Sequence, residues 1–263
     1  MRLSHVLAGL TFIGLMPIGT SRGQAPNGSS AKPMSYEVVS IKPSRPGTPG
    51  ISEFLPNGFR ETDTTLGSLV QDAFGIFYDK RILGMPSWAD SEQYDIEAKV
   101  DADTADRWKR LTEKQRHQEE EPMLQAVLVE RCKLKVHFEK KEMPVYELVI
   151  AKSGLKMKEA PKDEAENEEL SMGITLTAHA ISIEDLTVTL SGVDGRPVVD
   201  KTELGEKRFD FKLHWTPDNL PGNQNSGPSL FTAVEEQLGL KLIPSKAGMS
   251  VLVIDRMQRP SPN

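Results

Sequence analysis

Pro228-Ser229-Leu230-Phe231-Thr232-Ala233-Val234-Glu235-Glu236-Gln237-Leu238-Gly239-Leu240-Lys241-Leu242 is the stretch on which the reading of the fold turns, because residues 122–136 repeat its pattern. A shift of 106 positions sets Leu124 on Leu230, Val127 on Ala233, Leu128 on Val234, Cys132 on Leu238, Leu134 on Leu240 and Val136 on Leu242. Within each copy the apolar residues fall at i, i+3, i+4 and i+8, one face of a short helix, and then alternate as a strand requires. Each copy therefore predicts helix, tight turn, strand. Lys133 stands where the second copy has Gly239, so the first turn lacks the residue that enters the left-handed region most easily.

The repeat extends outward from this unit. Residues 58–64 read as a strand followed by a helical face of Leu66, Leu69, Val70 and Ala73, stopping at Gly75. The same order returns 117 residues later in the strand 174–180 and the face Ile183, Leu186 and Leu190, stopping at Gly192. Residues 94–99 and 209–214, 115 apart, alternate apolar with charged residues as half-buried strands do. Each copy is expected to close with a strand pair, 133–139 with 145–151 and 240–244 with 250–255. The fold class is α+β: two tandem strand-helix-strand-strand-helix-strand-strand modules with mixed or antiparallel sheets, at 36–158 and 172–263. The modules differ in a long charged helix over 104–121. Residues 159–171, rich in Glu and Asp and poor in apolar side chains, read as an acidic, solvated linker.

Arg2, an apolar run over 6–18 and the small and polar residues that follow predict a secretory signal peptide over 1–23, with cleavage after 25 as the other choice. Pro17 interrupts the run, which is shorter than the ~20 apolar residues of a spanning helix, so no transmembrane segment is expected after cleavage. Residues 24–35 read as a flexible N-terminus, and the mature protein is expected to be secreted or periplasmic. Loss of Arg2 and Arg22 takes the formal charge from −6 to −8, which argues against nucleic acid or an anionic membrane as partner. The single cysteine, Cys132, forms no internal disulfide and reads as core filling.

Residues 82–88, 94–99, 123–138, 144–146, 196–202 and 253–263 resemble a soil-associated secreted family of unknown function, expanded in Acidobacteria, whose domain also occurs behind membrane metallopeptidases of the BlaR/MecR type. That resemblance implies a compartment and brings no catalytic residues. In pattern, each half also resembles the short N-terminal domain of secretins and TonB-dependent transducers, which implies docking to envelope proteins.

Candidate chemistry is sparse. His137 and Glu139, two apart on a strand, share a side and could form a metal or proton-transfer pair, or simply a solvated face. Asp95 and Asp210 occupy equivalent positions, and Trp88 could stack on a ligand or pack over a sheet edge. Nothing has the spacing of a zinc site, a calcium loop or a nucleophile elbow, so no metal and no cofactor is expected. The reading is a non-catalytic interaction or sensory module that pairs a sheet edge with an envelope protein or peptide, 251–253 being taken as an edge strand. The alternatives are a small-ligand receptor, and a hydrolase-like enzyme with Trp88, His137 and Glu139 in a site between the modules.

Overall fold

The computed structural model describes residues 34–76, 79–161, 164, 166–171, 175–216 and 227–261, so the expected signal peptide lies outside the described residues. In chain order, β1 (Val38–Pro43), β2 (Ile51–Leu55) and β3 (Gly58–Thr65) lead into α1 (Leu66–Ala73), then β4 (Ile82–Leu83), α2 (Ser87–Ser91) and β5 (Gln93–Lys99). The helices α3 (Ala102–Trp108) and α4 (Glu113–Cys132) precede β6 (Lys135–Ile150). The second half runs β7 (Lys158–Glu159), β8 (Asn167–Ser171), β9 (Thr175–Ser182), α5 (Ile183–Asp194), β10 (Val198–Asp200) and β11 (Arg208–His214). It ends with α6 (Leu230–Ala233), a π turn over Val234–Leu238, and β12 (Leu240–Arg256). Among the described residues no helix is long and apolar enough to cross a membrane.

Side-chain caps set where the helices begin. Thr65, Ser182 and Ser229 each accept a hydrogen bond from the amide three residues on, at Ser68, Asp185 and Thr232. The long charged helix expected over 104–121 is two helices, because Thr112 and Gln115 form a capping box that starts α4 afresh. α4 then carries Pro122 in its interior and runs on to Cys132. α5 likewise passes Gly192 and ends at Gly195, whose φ of 69° closes it.

The architecture is α+β, with antiparallel and mixed sheets. The first sheet has the order β1-β5-β3-β2, and a second has the corresponding order β7-β11-β9-β8. A third sheet, β10-β6-β12-β4, takes strands from both halves. Here the expected strand pairs are corrected. Neither 133–139 with 145–151 nor 240–244 with 250–255 forms a hairpin. Instead β6 and β12 run straight past 140–144 and 245–249 and pair antiparallel along their length, from Leu240 opposite Ile150 to Ile254 opposite Val136. Two strands of matching length satisfy each other's backbone without a turn in either. For the same reason 251–253 is not an edge: β12 is flanked by β6 and by β4, which pairs at Leu252 and Val253.

This exchange interlocks the cores. Leu252 and Ile254 of β12 pack in the first core, with Leu66, Leu69, Ile96 and Leu128. Tyr146 and Leu148 of β6 pack in the second, with Leu186, Leu213, Trp215 and Val234. The turns before β6 and β12 both take the left-handed conformation, Lys133 at φ 51° and Gly239 at φ 68°. Only the second requires glycine for space, since a Cβ there would stand 2.0 Å from the Gly154 carbonyl oxygen. The stretch read as an acidic linker contains β8, an outer strand of its sheet. Its side chains are nearly all exposed, so its composition is that of a solvated loop.

Candidate functional site

The residues singled out in the sequence are held by separate partners. Trp88, on α2, packs against the first core with the Arg259 guanidinium 5.2 Å from its ring centroid. On β6, His137 Nδ1 lies 3.0 Å from Asp255 Oδ2, and Glu139 lies 3.5 Å from Lys141 Nζ. The His137 and Asp255 side chains are about half exposed, as a solvated strand face is. Phe138, between His137 and Glu139 in sequence and so on the other side of the strand, is 57% exposed and meets Phe74 edge-on. Cys132 is buried, and burial pushes its thiol up to about 11, away from the thiolate.

Asp95 and Asp210 have a structural task. Asp63 and Ala180 adopt φ near +50° at irregularities in the β3–β5 and β9–β11 pairings. Their amides donate to the Asp95 carboxylate at 3.2 Å and the Asp210 carboxylate at 3.0 Å. Each aspartate thus holds a β-bulge from the neighbouring strand.

Asp210 also belongs to a cluster with His179 and Glu164, whose ligand atoms lie within 4.8 Å of one another. Asp210 faces Nδ1 of His179 at 2.8 Å and Glu164 faces Nε2 at 3.1 Å, while Lys158 Nζ lies 3.7 Å from Asp210. Each ring nitrogen of His179 therefore faces a carboxylate, and the cluster ties β9 to β11.

Between the two halves lies a groove of about 640 Å³. One wall is α1 and the start of α4, with Asp72, Lys114, His117 and Glu121; the other is β8, β9 and α5, with Glu168, Ile181, Asp185 and Val188. Lys114 bridges the walls, 2.7 Å from Asp185 and 4.0 Å from Glu166. Asp72 and Glu121 have no ion-pair partner among the described residues, and Glu168 accepts only from the Thr189 hydroxyl at 2.6 Å. Next to His117, Phe54 of β2 packs edge-on at 5.2 Å, and Arg116 lies between Phe54 and Trp108.

Electrostatics mark the same place. Burial pushes Asp72 up to about 6, with the Glu61 charge adding and His117 opposing. Burial likewise raises Glu121 against His117, and raises Glu168 against its Thr189 hydrogen bond. Burial works against Asp185 too, but the hydrogen bonds from Lys114 and Ser182 and the Lys114 charge together outweigh it and hold that carboxyl below its usual range. The groove therefore holds carboxylates whose charge is poorly compensated, a pattern that clusters at functional sites.

Asp72 carries a pH prediction. Its folded-state value lies above the ordinary 3.8, so the native state binds the proton more readily between about 4 and 6, and stability falls as pH rises through that window. Asp72→Asn is expected to stabilise the protein by about 1–2 kcal/mol at pH 7.5, allowing for solvent screening, and by almost nothing at pH 4. Urea denaturation at the two pH values measures the difference; an equal effect at both would remove the account of Asp72.

The model of a family described as "Protein of unknown function (DUF3738)" matches residues 67–257, a span that runs from α1 through β12. No curated protein and no solved structure matches the chain.

Proposed function

Because the chain belongs to the DUF3738 family of proteins of unknown function, we propose that it is a non-catalytic interaction module that takes an extended, positively charged segment of a partner into the groove between its halves. The observation that carries this reading is the set Asp72, Glu121 and Glu168, carboxylates turned into one groove without a cation to pair them among the described residues. β8 adds backbone chemistry: it is an outer strand, it lines the groove with Asn167 and Glu168, and no strand pairs with its far side among the described residues. An incoming strand would gain hydrogen bonds there while its lysine or arginine side chains meet the carboxylates.

The partner is an envelope protein or peptide, and the protein works outside the cytoplasm after removal of residues 1–23. The resemblance to a soil-associated secreted family, and of each half to envelope-docking domains, supports that setting. Trp88, His137 and Glu139, the residues of the enzyme alternative, lie against Arg259, Asp255 and Lys141 respectively and line no part of the groove. A second reading, a receptor for a small cationic ligand, is favoured by the groove's volume, about 640 Å³, within the range of small-molecule sites.

Titration calorimetry separates the readings. A lysine-rich extended peptide is expected to bind the wild-type protein at pH 7.5, and about tenfold or more weakly to Asp72→Asn/Glu121→Gln/Glu168→Gln, since 1.4 kcal/mol of lost charge pairing is tenfold. Binding of spermidine but not of the peptide would favour the receptor. Equal affinity of either probe for wild type and variant would remove the groove as the site.

A further inference from the structure

Beyond β12 the chain turns back over its own first half. The Gln258 amide donates to the Cys132 carbonyl at 2.7 Å and the Ser261 amide to the Arg131 carbonyl at 3.0 Å. Arg131 Nη2 returns a hydrogen bond to the Ser261 carbonyl at 2.8 Å. Between these two anchors, Arg259 lies over the Trp88 ring at 5.2 Å and grips Glu92 as a fork, Nε at 3.0 and 3.1 Å from its two oxygens and Nη2 at 2.5 Å. The Tyr94 hydroxyl donates to the same carboxylate at 2.9 Å.

The anchoring is shallow. The Arg259 side chain is 61% exposed, Gln258 and Ser261 are exposed, and Pro260 favours an extended path at its neighbour. An extended segment lying on the surface, held by backbone hydrogen bonds, an aromatic face and a bidentate arginine–carboxylate pair, has the anatomy of a bound peptide. Alongside it, Ile41, Pro43, Glu92 and Tyr94 line an open pocket of about 480 Å³, leaving room beside the segment. None of the residues that grip Arg259 lines the groove between the halves.

We propose that Trp88, Glu92, Tyr94 and Arg131 form a recognition site for an extended segment bearing arginine followed by proline, filled in cis by residues 257–261 and opened to a partner's segment when these are displaced. The site's selectivity follows from its parts. The Glu92 carboxylate takes a fork that lysine cannot supply, and the Trp88 face prefers the flat guanidinium.

The test uses the full-length protein and a labelled heptapeptide with the sequence of residues 257–263. In wild type the tethered segment competes at high effective concentration, so the peptide is expected to bind weakly. Arg259→Ala should vacate the grip and bind the peptide about tenfold or more tightly than wild type, and Arg259→Ala/Glu92→Gln should lose that gain. The same peptide with lysine in place of its arginine should bind Arg259→Ala at least several-fold more weakly. A chain shortened after Arg256, checked for fold by circular dichroism, removes the competing backbone as well. Absence of binding to both Arg259→Ala and the folded shortened chain would overturn the proposal and leave the segment a structural strap. Equal binding to Arg259→Ala and its Glu92→Gln derivative would overturn it also.

Discussion

Residues 34–151 and 152–263, expressed separately, are each expected to show no cooperative unfolding transition, and to regain one when mixed. The reason lies in which residues close each core. The first fragment lacks Leu252 and Ile254, both buried among α1, α4 and β5 residues. The second lacks Tyr146 and Leu148. Deleting a buried leucine side chain alone costs about 2–5 kcal/mol, against a total stability of about 5–15 kcal/mol for a typical domain. Each fragment also loses the pairing of a strand of 16 or 17 residues, exposing a row of unsatisfied amides and carbonyls. Circular dichroism and thermal melts of the fragments, alone and together, measure this; a cooperative melt from either fragment alone would count against the interlocked cores.

Leu252→Ala is expected to destabilise the whole protein by about 3 kcal/mol, and Leu148→Ala by a similar amount, because both side chains are fully buried. What makes the pair diagnostic is the core each serves. Leu252 comes late in the chain yet packs with the early residues Leu69 and Ile96, whereas Leu148 comes early and packs with Leu186 and Leu213. In one cooperative unit both substitutions lower a single transition, seen alike by Trp108 in the first half and Trp215 in the second. Guanidinium denaturation followed by fluorescence of variants keeping one of these tryptophans tests that. Two transitions, with only one moved by each substitution, would mean that the halves unfold independently.

The parts of this structure that a sequence shows are the ones with a local cause. The apolar faces at i, i+3 and i+4 place Leu124, Leu128, Leu230 and Val234 in the cores, where they are buried. The alternation in 94–99 and 209–214 corresponds to β5 and β11, with Tyr94, Ile96, Ala98, Phe209 and Leu213 buried. Alternation fixes a strand's faces but not its neighbour, so the exchange of β6 and β12 between halves leaves no mark in either strand alone. Phe138 shows the same limit. It is opposite Leu252, which is fully buried, yet is itself largely exposed, with Phe74 packed edge-on against it.

The groove is less legible still. Asp72, His117, Glu121, Glu168 and Val188 come from α1, α4, β8 and α5, and no spacing relates them. Their convergence is a product of packing. Two local signals were nonetheless present. Thr112 and Gln115 spell the capping box that starts α4 at the groove, and the acidic run ending in Glu168 and Glu169 continues as strand β8. Polarity hid the strand, because an outer strand whose side chains are nearly all exposed has few apolar positions to reveal it.

The shared sheet holds the two walls of the groove in one body, and native-state hydrogen exchange along β6 and β12 tests that most directly. Amides in 135–139 and 251–256, which serve the first core, and those in 145–150 and 240–245, which serve the second, are expected to exchange through one global opening. They should share a free energy and a dependence on denaturant. Two classes of amide, dividing at 140–144 and 245–249 and opening at different denaturant concentrations, would contradict it.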